Sequence, residues 1–195
     1  MNTYRNATTA ICFLMAVGLA EAQQPSTSPA PAVTATTPSG DAALTKAIGG
    51  AKFSLLQGIA QVARGMEVPT EAKYEMEDSK LMLSVYTSTK GFDTAAEDNS
   101  FIEYKGDATA AAWNPKKEVF ADFKHISRAA QYHTLLSMTK MTIPNMIQKV
   151  SAQGTVLSVK EKVHNGKPVF EVMTLQGNAV KTAFYDITTG DPAGG

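Results

Sequence analysis

The chain has 195 residues, 44% of them hydrophobic, with 18 basic and 18 acidic side chains and no formal net charge. That length can bury a sizeable core, while the charge balance gives no pull toward nucleic acid or an anionic membrane surface. Aromatics are sparse at 8% and basic residues are scattered, so the stacking platforms and basic stripes of nucleic-acid binders are not evident and no nucleic-acid partner is expected.

Arg5, the apolar run Ala10 to Leu19 and the small-x-small tripeptide Ala20-Glu21-Ala22 have the form of a secretory signal peptide over residues 1–22, with cleavage before Gln23. About ten apolar residues fall short of the roughly twenty that span a bilayer, so stable membrane insertion after cleavage is not expected. The single cysteine, Cys12, leaves with the signal. A periplasmic or secreted mature chain would therefore hold no thiol nucleophile, redox pair or thiolate metal site. Residues 23–40 are rich in Pro, Ala, Ser and Thr without hydrophobic period, which reads as a disordered linker.

From Asp41 onward helical and strand periods alternate. Leu44, Ile48, Leu55, Ile59 and Val62 fall near one helical face, interrupted at Gly49-Gly50, and Ser54 with Gln57 forms a capping-box pattern. After Pro69, Ala72, Tyr74 and Met76 alternate with Lys73, Glu75 and Glu77, and Leu81, Leu83 and Val85 repeat the pattern beyond Asp78-Ser79, which predicts a hairpin. Asp107 to Trp113 reads as a short helix before Asn114-Pro115. Asp122 caps a longer one that turns Phe123, Ile126, Ala129, Ala130, Leu136 and Met141 inward. Packing is the reading for Trp113, Phe120 and Phe123.

The order then recurs. Thr142 to Val150 matches Ser54 to Val62 at an offset of 88 residues, and Asn165 to Val172 matches Asp78 to Val85 at 87, with Lys160 in the place of Lys73. Equivalent hairpins should bury Leu81, Leu83 and Val85 in one half and Pro168, Phe170 and Val172 in the other. The opposite face carries Met82, Ser84, Val169 and Glu171, and changes at Ser84 or Glu171 are expected to cost little.

A Thr-initiated short helix, a strand Leu157 to Val163, an Asn165-Gly166-Lys167-Pro168 turn, a strand Val169 to Leu175 and the ending Tyr185-Asp186-Ile187-Thr188-Thr189-Gly190 together resemble a PepSY domain. Phe53 to about Lys105 is similar more weakly, and Phe101 to Gly106 lacks the Asp-x-x-Thr-Gly ending. The resemblance implies an α+β protein of two PepSY-like units, each a helix packed on a three-stranded antiparallel sheet. Its divisions are a first unit at 41–106, a connecting helical segment at 107–141, a second unit at 142–191 and a tail at 192–195. Asp186, Thr188, Thr189 and Gly190 read as turn chemistry rather than as a catalytic or metal site.

No catalytic constellation is legible. His125, His133 and His164 lack paired metal-ligand spacing, Glu75 and Glu77 lie on a strand's polar face, and neither a nucleophile elbow nor a phosphate loop is present. His133, Met138, Met141 and Met146 are the candidates for soft copper(I). Five residues put His133 and Met138 about 140° apart on a helix, so packing accounts better for the methionines. The expectation is a non-catalytic binding protein with no cofactor, no metal and no assigned binding residues. The resemblance implies a secreted or periplasmic peptidase, or a peptide segment, as partner and inhibition or regulation as the role, while an unpaired sheet edge supplies the physical route. The alternative is a periplasmic small-ligand or metal binder.

Overall fold

The computed structural model describes residues 39–65, 67–89 and 98–193. The expected signal peptide and nearly all of the expected linker lie outside the described residues. The elements are α1 (Ser39–Ala47), α2 (Leu55–Val62), β1 (Val68–Glu77), β2 (Lys80–Ser88), β3 (Phe101–Asp107), β4 (Lys116–Phe120), α3 (Phe123–Ser137), α4 (Ile143–Val150), β5 (Thr155–His164), β6 (Lys167–Gln176) and β7 (Ala179–Asp186). No helix among the described residues is long and apolar enough to cross a membrane.

Local chemistry sets most boundaries. Ser54 accepts from the Gln57 amide while the Gln57 side chain accepts from the Ser54 amide, completing the capping box of α2. Thr142 and Asp122 cap α4 and α3 through the amides of Asn145 and His125. The β1–β2 turn uses positive φ at Asp78 and Ser79, and the β5–β6 turn uses Asn165 and Gly166 in the same way.

The strands form one seven-stranded antiparallel sheet in the order β4-β3-β2-β1-β5-β6-β7. The protein is α+β, but the expected pair of separate three-stranded sheets is overturned. β1 and β5 join the halves through Glu71↔Lys160, Ala72↔Val159 and Lys73↔Ser158. Alternation along a strand is the same whether its edge is open or paired, so the sequence pattern could not reveal the joint. Pairing the two first strands removes two unsatisfied edges at once.

The halves are equivalent in detail. Ala72 pairs with Val85 as Val159 pairs with Val172, and the register slips at Thr70 in β1 and 87 residues later at Leu157 in β5. The junction respects the same relation, so an approximate two-fold axis passes through the Ala72–Val159 pair. The first half also ends like the second. Asp186 accepts from the Thr188 and Thr189 amides, and Asp107 accepts from the Thr109 amide and hydroxyl. The Ala108 and Ile187 amides then donate to Leu81 and Pro168. The first ending is Asp107-Ala108-Thr109, one residue beyond the stretch that lacked the motif.

α2 and α4 contribute Leu55, Ile59, Val62, Ile143, Met146, Ile147 and Val150 to the main core, against Leu83, Val85, Val159, Phe170 and Val172 of the sheet. The other two helices cross between halves. α1 packs on β1, β2 and also β7, and α3 packs on β5 and also β3. Leu44 and Ile48 of the α1 segment are buried, as are Tyr132 and Leu136 at the positions 88 residues later.

Three local expectations are corrected. Residues 108–115 are turns and loop rather than helix, with Trp113 buried against Gly106, where a Cβ would stand 2.7 Å from the indole nitrogen. Lys116–Phe120 is a strand, formed because β3 offers it an edge. α3 buries Ala129, Tyr132, Leu135 and Leu136, whereas Phe123 is 87% exposed. The face carrying Ser84 and Glu171 is also less open than expected. Ser84 is fully buried and donates to Glu75 at 2.8 Å, while Glu171 is buried between two lysines.

Leu83 and Phe170 have no exposed surface. Replacing either by alanine should lower stability by about 2–5 kcal/mol in urea titrations. Gly154→Ala should destabilise as well, since its Cβ would meet the Leu175 carbonyl oxygen at 2.2 Å.

Candidate functional site

The titratable and soft residues singled out in the sequence do not converge. His125 pairs with Asp122 at 2.5 Å and stacks on Phe120, while His164 stacks on Phe184 with ring centres 3.9 Å apart. The ring Nε2 of His133 contacts the Ser88 hydroxyl and, at 3.1 Å, the Asn99 side-chain nitrogen. Burial pulls the His133 pKa down. Ser88 itself has no exposed surface, and this serine–histidine contact stitches β2 to α3. Met146 is wholly within the core, whereas Met138 is 52% exposed. Among the described residues, no three His, Cys, Asp or Glu side chains are grouped to hold a metal ion.

Charge is concentrated on the sheet face opposite α2 and α4. Glu171 receives Lys162 at 2.5 Å and Lys160 at 3.0 Å, Lys73 meets Glu75 at 2.7 Å, and Lys105 meets Glu77 at 3.1 Å. Burial pushes the carboxyls of Glu75 and Glu171 up, but hydrogen bonds from Lys73 and Ser84, and from Lys162 and Lys160, prevail and hold both below the ordinary value. Glu71 goes the other way, because its burial under α3 outweighs the fields of Lys73, Lys160 and Arg128. A groove of about 430 Å³ crosses β1 to β4 here, over Met82 and between Glu77, Lys80, Glu103, Lys105 and Lys116. Lys105 is already paired with Glu77 and Glu103, so an anion entering must compete with the protein's own carboxylates.

The sheet ends differ more sharply. β4 covers β3 through Lys105↔Lys116, Glu103↔Glu118 and Phe101↔Phe120, and it guards its own outer edge with Lys116, Lys117 and Glu118. At the other end, among the described residues, the tail pairs only with the last residues of β7. Asp191 accepts from the Asp186 amide at 2.8 Å, and the Ala193 amide donates to the Phe184 carbonyl at 2.9 Å. Alternate residues of an antiparallel strand direct their backbone groups the same way. Val180 and Thr182 therefore turn their N–H and C=O outward as Phe184 does. By register these residues are the counterparts of Phe101, Glu103 and Lys105, the positions that β4 occupies.

Beside this edge, on the face of α2 and α4, lies a cavity of about 380 Å³. Val172 and Ala183 floor it, and Gln153, Thr174, Gln176 and Lys181 supply polar groups. The Gln153 side-chain oxygen accepts from the Tyr185 hydroxyl at 2.9 Å, which leaves its NH₂ group as a donor. Lys181 enters none of the ion pairs among the described residues. Sequence reasoning assigned no role to Lys181, although a single lysine within an otherwise uncharged strand, Ala179 to Tyr185, is the signal that marks it.

Glu161 was also missed. It follows the strand alternation of Val159, pairs with Phe170, and is 2% exposed with neither carboxyl oxygen hydrogen-bonded. Its counterpart in the first half is Tyr74, whose hydroxyl donates to the Phe53 carbonyl. Burial pushes the Glu161 carboxyl well up, and the nearby Glu71 adds to the rise.

No family model matches the chain, and no curated protein matches it. Among solved structures, a candidate lipoprotein of Clostridium difficile 630 aligns with 73% of this chain and 91% of its own length, at 15% identity and a TM-score of 0.40. At that level the likeness carries no argument about fold or function, and membership of the PepSY family is not shown.

The buried acid makes stability depend on pH. A folded-state value raised above the ordinary 4.5 keeps Glu161 protonated where the unfolded chain ionises. Its contribution is then fully present below that value and is lost as pH rises toward the folded-state value. Against Glu161→Gln, the wild-type chain should lose up to about 1.4 kcal/mol per pH unit in urea titrations as pH rises above the ordinary carboxyl value toward the folded-state one. A constant difference between the two proteins would show that Glu161 folds as the anion.

Proposed function

We propose that this is an exported, non-catalytic protein that binds extended polypeptide through the outer edge of its sheet, with regulation of a secreted or periplasmic peptidase as its role. The observation that carries the reading is the stretch of β7 around Val180 and Thr182, to which no further strand pairs among the described residues and whose counterpart on β3 is covered by β4. A bound segment would take the place there that β4 takes in the first half, drawing affinity from backbone hydrogen bonds. Export is supported by the signal-like residues 1–22. The PepSY-like ending at Asp186 to Gly190 supports the peptidase part of the reading, with the fold corrected to one continuous sheet.

The test uses the mature chain and the peptidases exported by the same cells, assayed on an unfolded protein substrate. Inhibition should be saturable and should be lost in Thr182→Pro, which deletes an outward N–H while leaving the β6–β7 ladder intact. No effect on any exported peptidase, or equal inhibition by both proteins, would reject the reading. Intact-mass measurement of the exported chain should place its N-terminus at Gln23.

A further inference from the structure

We infer that the β7 edge and the cavity beside it select an extended strand carrying an acidic side chain opposite Lys181. The inference rests on the polypeptide-binding reading and adds the chemistry of the partner. A strand laid along β7 sends alternate side chains to each face of the sheet, and the residue directly opposite Lys181 has its Cβ about 5 Å from that of Lys181. That residue faces the cavity of about 380 Å³, because Lys181, Ala183 and Tyr185 share the face that the cavity lines. Its polar donors are the Lys181 ammonium and the amide of Gln153, while Val172 and Ala183 offer apolar contact to the methylenes that carry a carboxylate. Both donors favour an anion, and a lysine at the same position would set two cations side by side.

The competing occupant is a second copy. Two β7 strands pairing antiparallel about the centre of the free stretch would set Lys181 against Lys181, an arrangement that edge lysines serve to prevent. On the opposite face the incoming strand meets Val180 and Thr182, neighbours suited to β-branched side chains. The favoured partner is therefore a strand of alternating β-branched residues interrupted by one glutamate or aspartate.

The probe is a nine-residue peptide of alternating threonine and valine with glutamate at its centre, compared with versions bearing lysine or glutamine there. Binding to the mature chain is measured by calorimetry at low ionic strength. The glutamate peptide should bind at least about tenfold more tightly than the lysine peptide. Lys181→Glu should reverse that order and Lys181→Met should abolish the difference, while Thr182→Pro should remove binding of all three peptides. Circular dichroism of each variant checks that the sheet persists. Equal affinity for the three peptides, abolished by Thr182→Pro, would overturn the acidic selectivity and leave the edge reading standing. Absence of binding, or binding indifferent to Thr182→Pro, would overturn the edge reading itself. A concentration-dependent dimer lost in Thr182→Pro would make a second copy the occupant and overturn the inference.

Discussion

Three residue pairs between β1 and β5 decide the architecture. Glu71↔Lys160, Ala72↔Val159 and Lys73↔Ser158 turn two hairpin-based halves into one sheet, and Ala72 and Val159 at the centre of the joint are wholly buried. A short ladder between two first strands stabilises little alone. It is held because α2 and α4 pack on the same face across it, and because α1 and α3 each reach from one half to the third strand of the other. Folding either half alone would leave a strand edge open and a helix without part of its floor.

The approximate two-fold symmetry makes its violations informative. Where the first half places Tyr74 with its hydroxyl bonded to Phe53, the second places Glu161 with no partner. Where the first half adds β4 outside β3, the second has, among the described residues, only a short tail at the end of β7. The first difference introduces a proton-linked term into stability, and the second leaves backbone hydrogen-bonding groups facing outward. Among the described residues the tail covers Phe184 and Asp186 but not Val180 and Thr182.

Electrostatics favours this edge over the larger groove across β1 to β4. The groove is richer in charge, yet its central cation is already shared by Glu77 and Glu103. An anion binding there exchanges one carboxylate for another and gains little. Lys181, like Lys80 and Lys116 of the groove, enters none of the ion pairs among the described residues, but the groove is lined by Glu77, Asp78, Glu103, Asp107 and Glu118 whereas the smaller cavity is lined by no carboxylate, so an incoming anion meets less competing negative charge there.

Much of the local structure follows from the sequence by itself. Ser54 with Gln57, Thr142 and Asp122 fix helix starts through side-chain bonds a few residues long. The alternations around Leu83 and Phe170, and the turns at Asp78-Ser79 and Asn165-Gly166, fix the hairpins, and the offset of 87 to 88 residues reveals that the halves correspond. These signals are legible because each joins residues close in sequence. Tertiary structure alone decided that the halves share one sheet, that Lys116–Phe120 is a strand, that Trp113 is buried in a loop beside Gly106, and that α3 turns Tyr132 and Leu135 inward while Phe123 faces solvent. Each depends on a partner tens of residues away, and a strand's period is the same whether or not another strand lies beside it. The open edge at β7, with Lys181 at its cavity, belongs to that second class because only the completed sheet determines which strands are outermost.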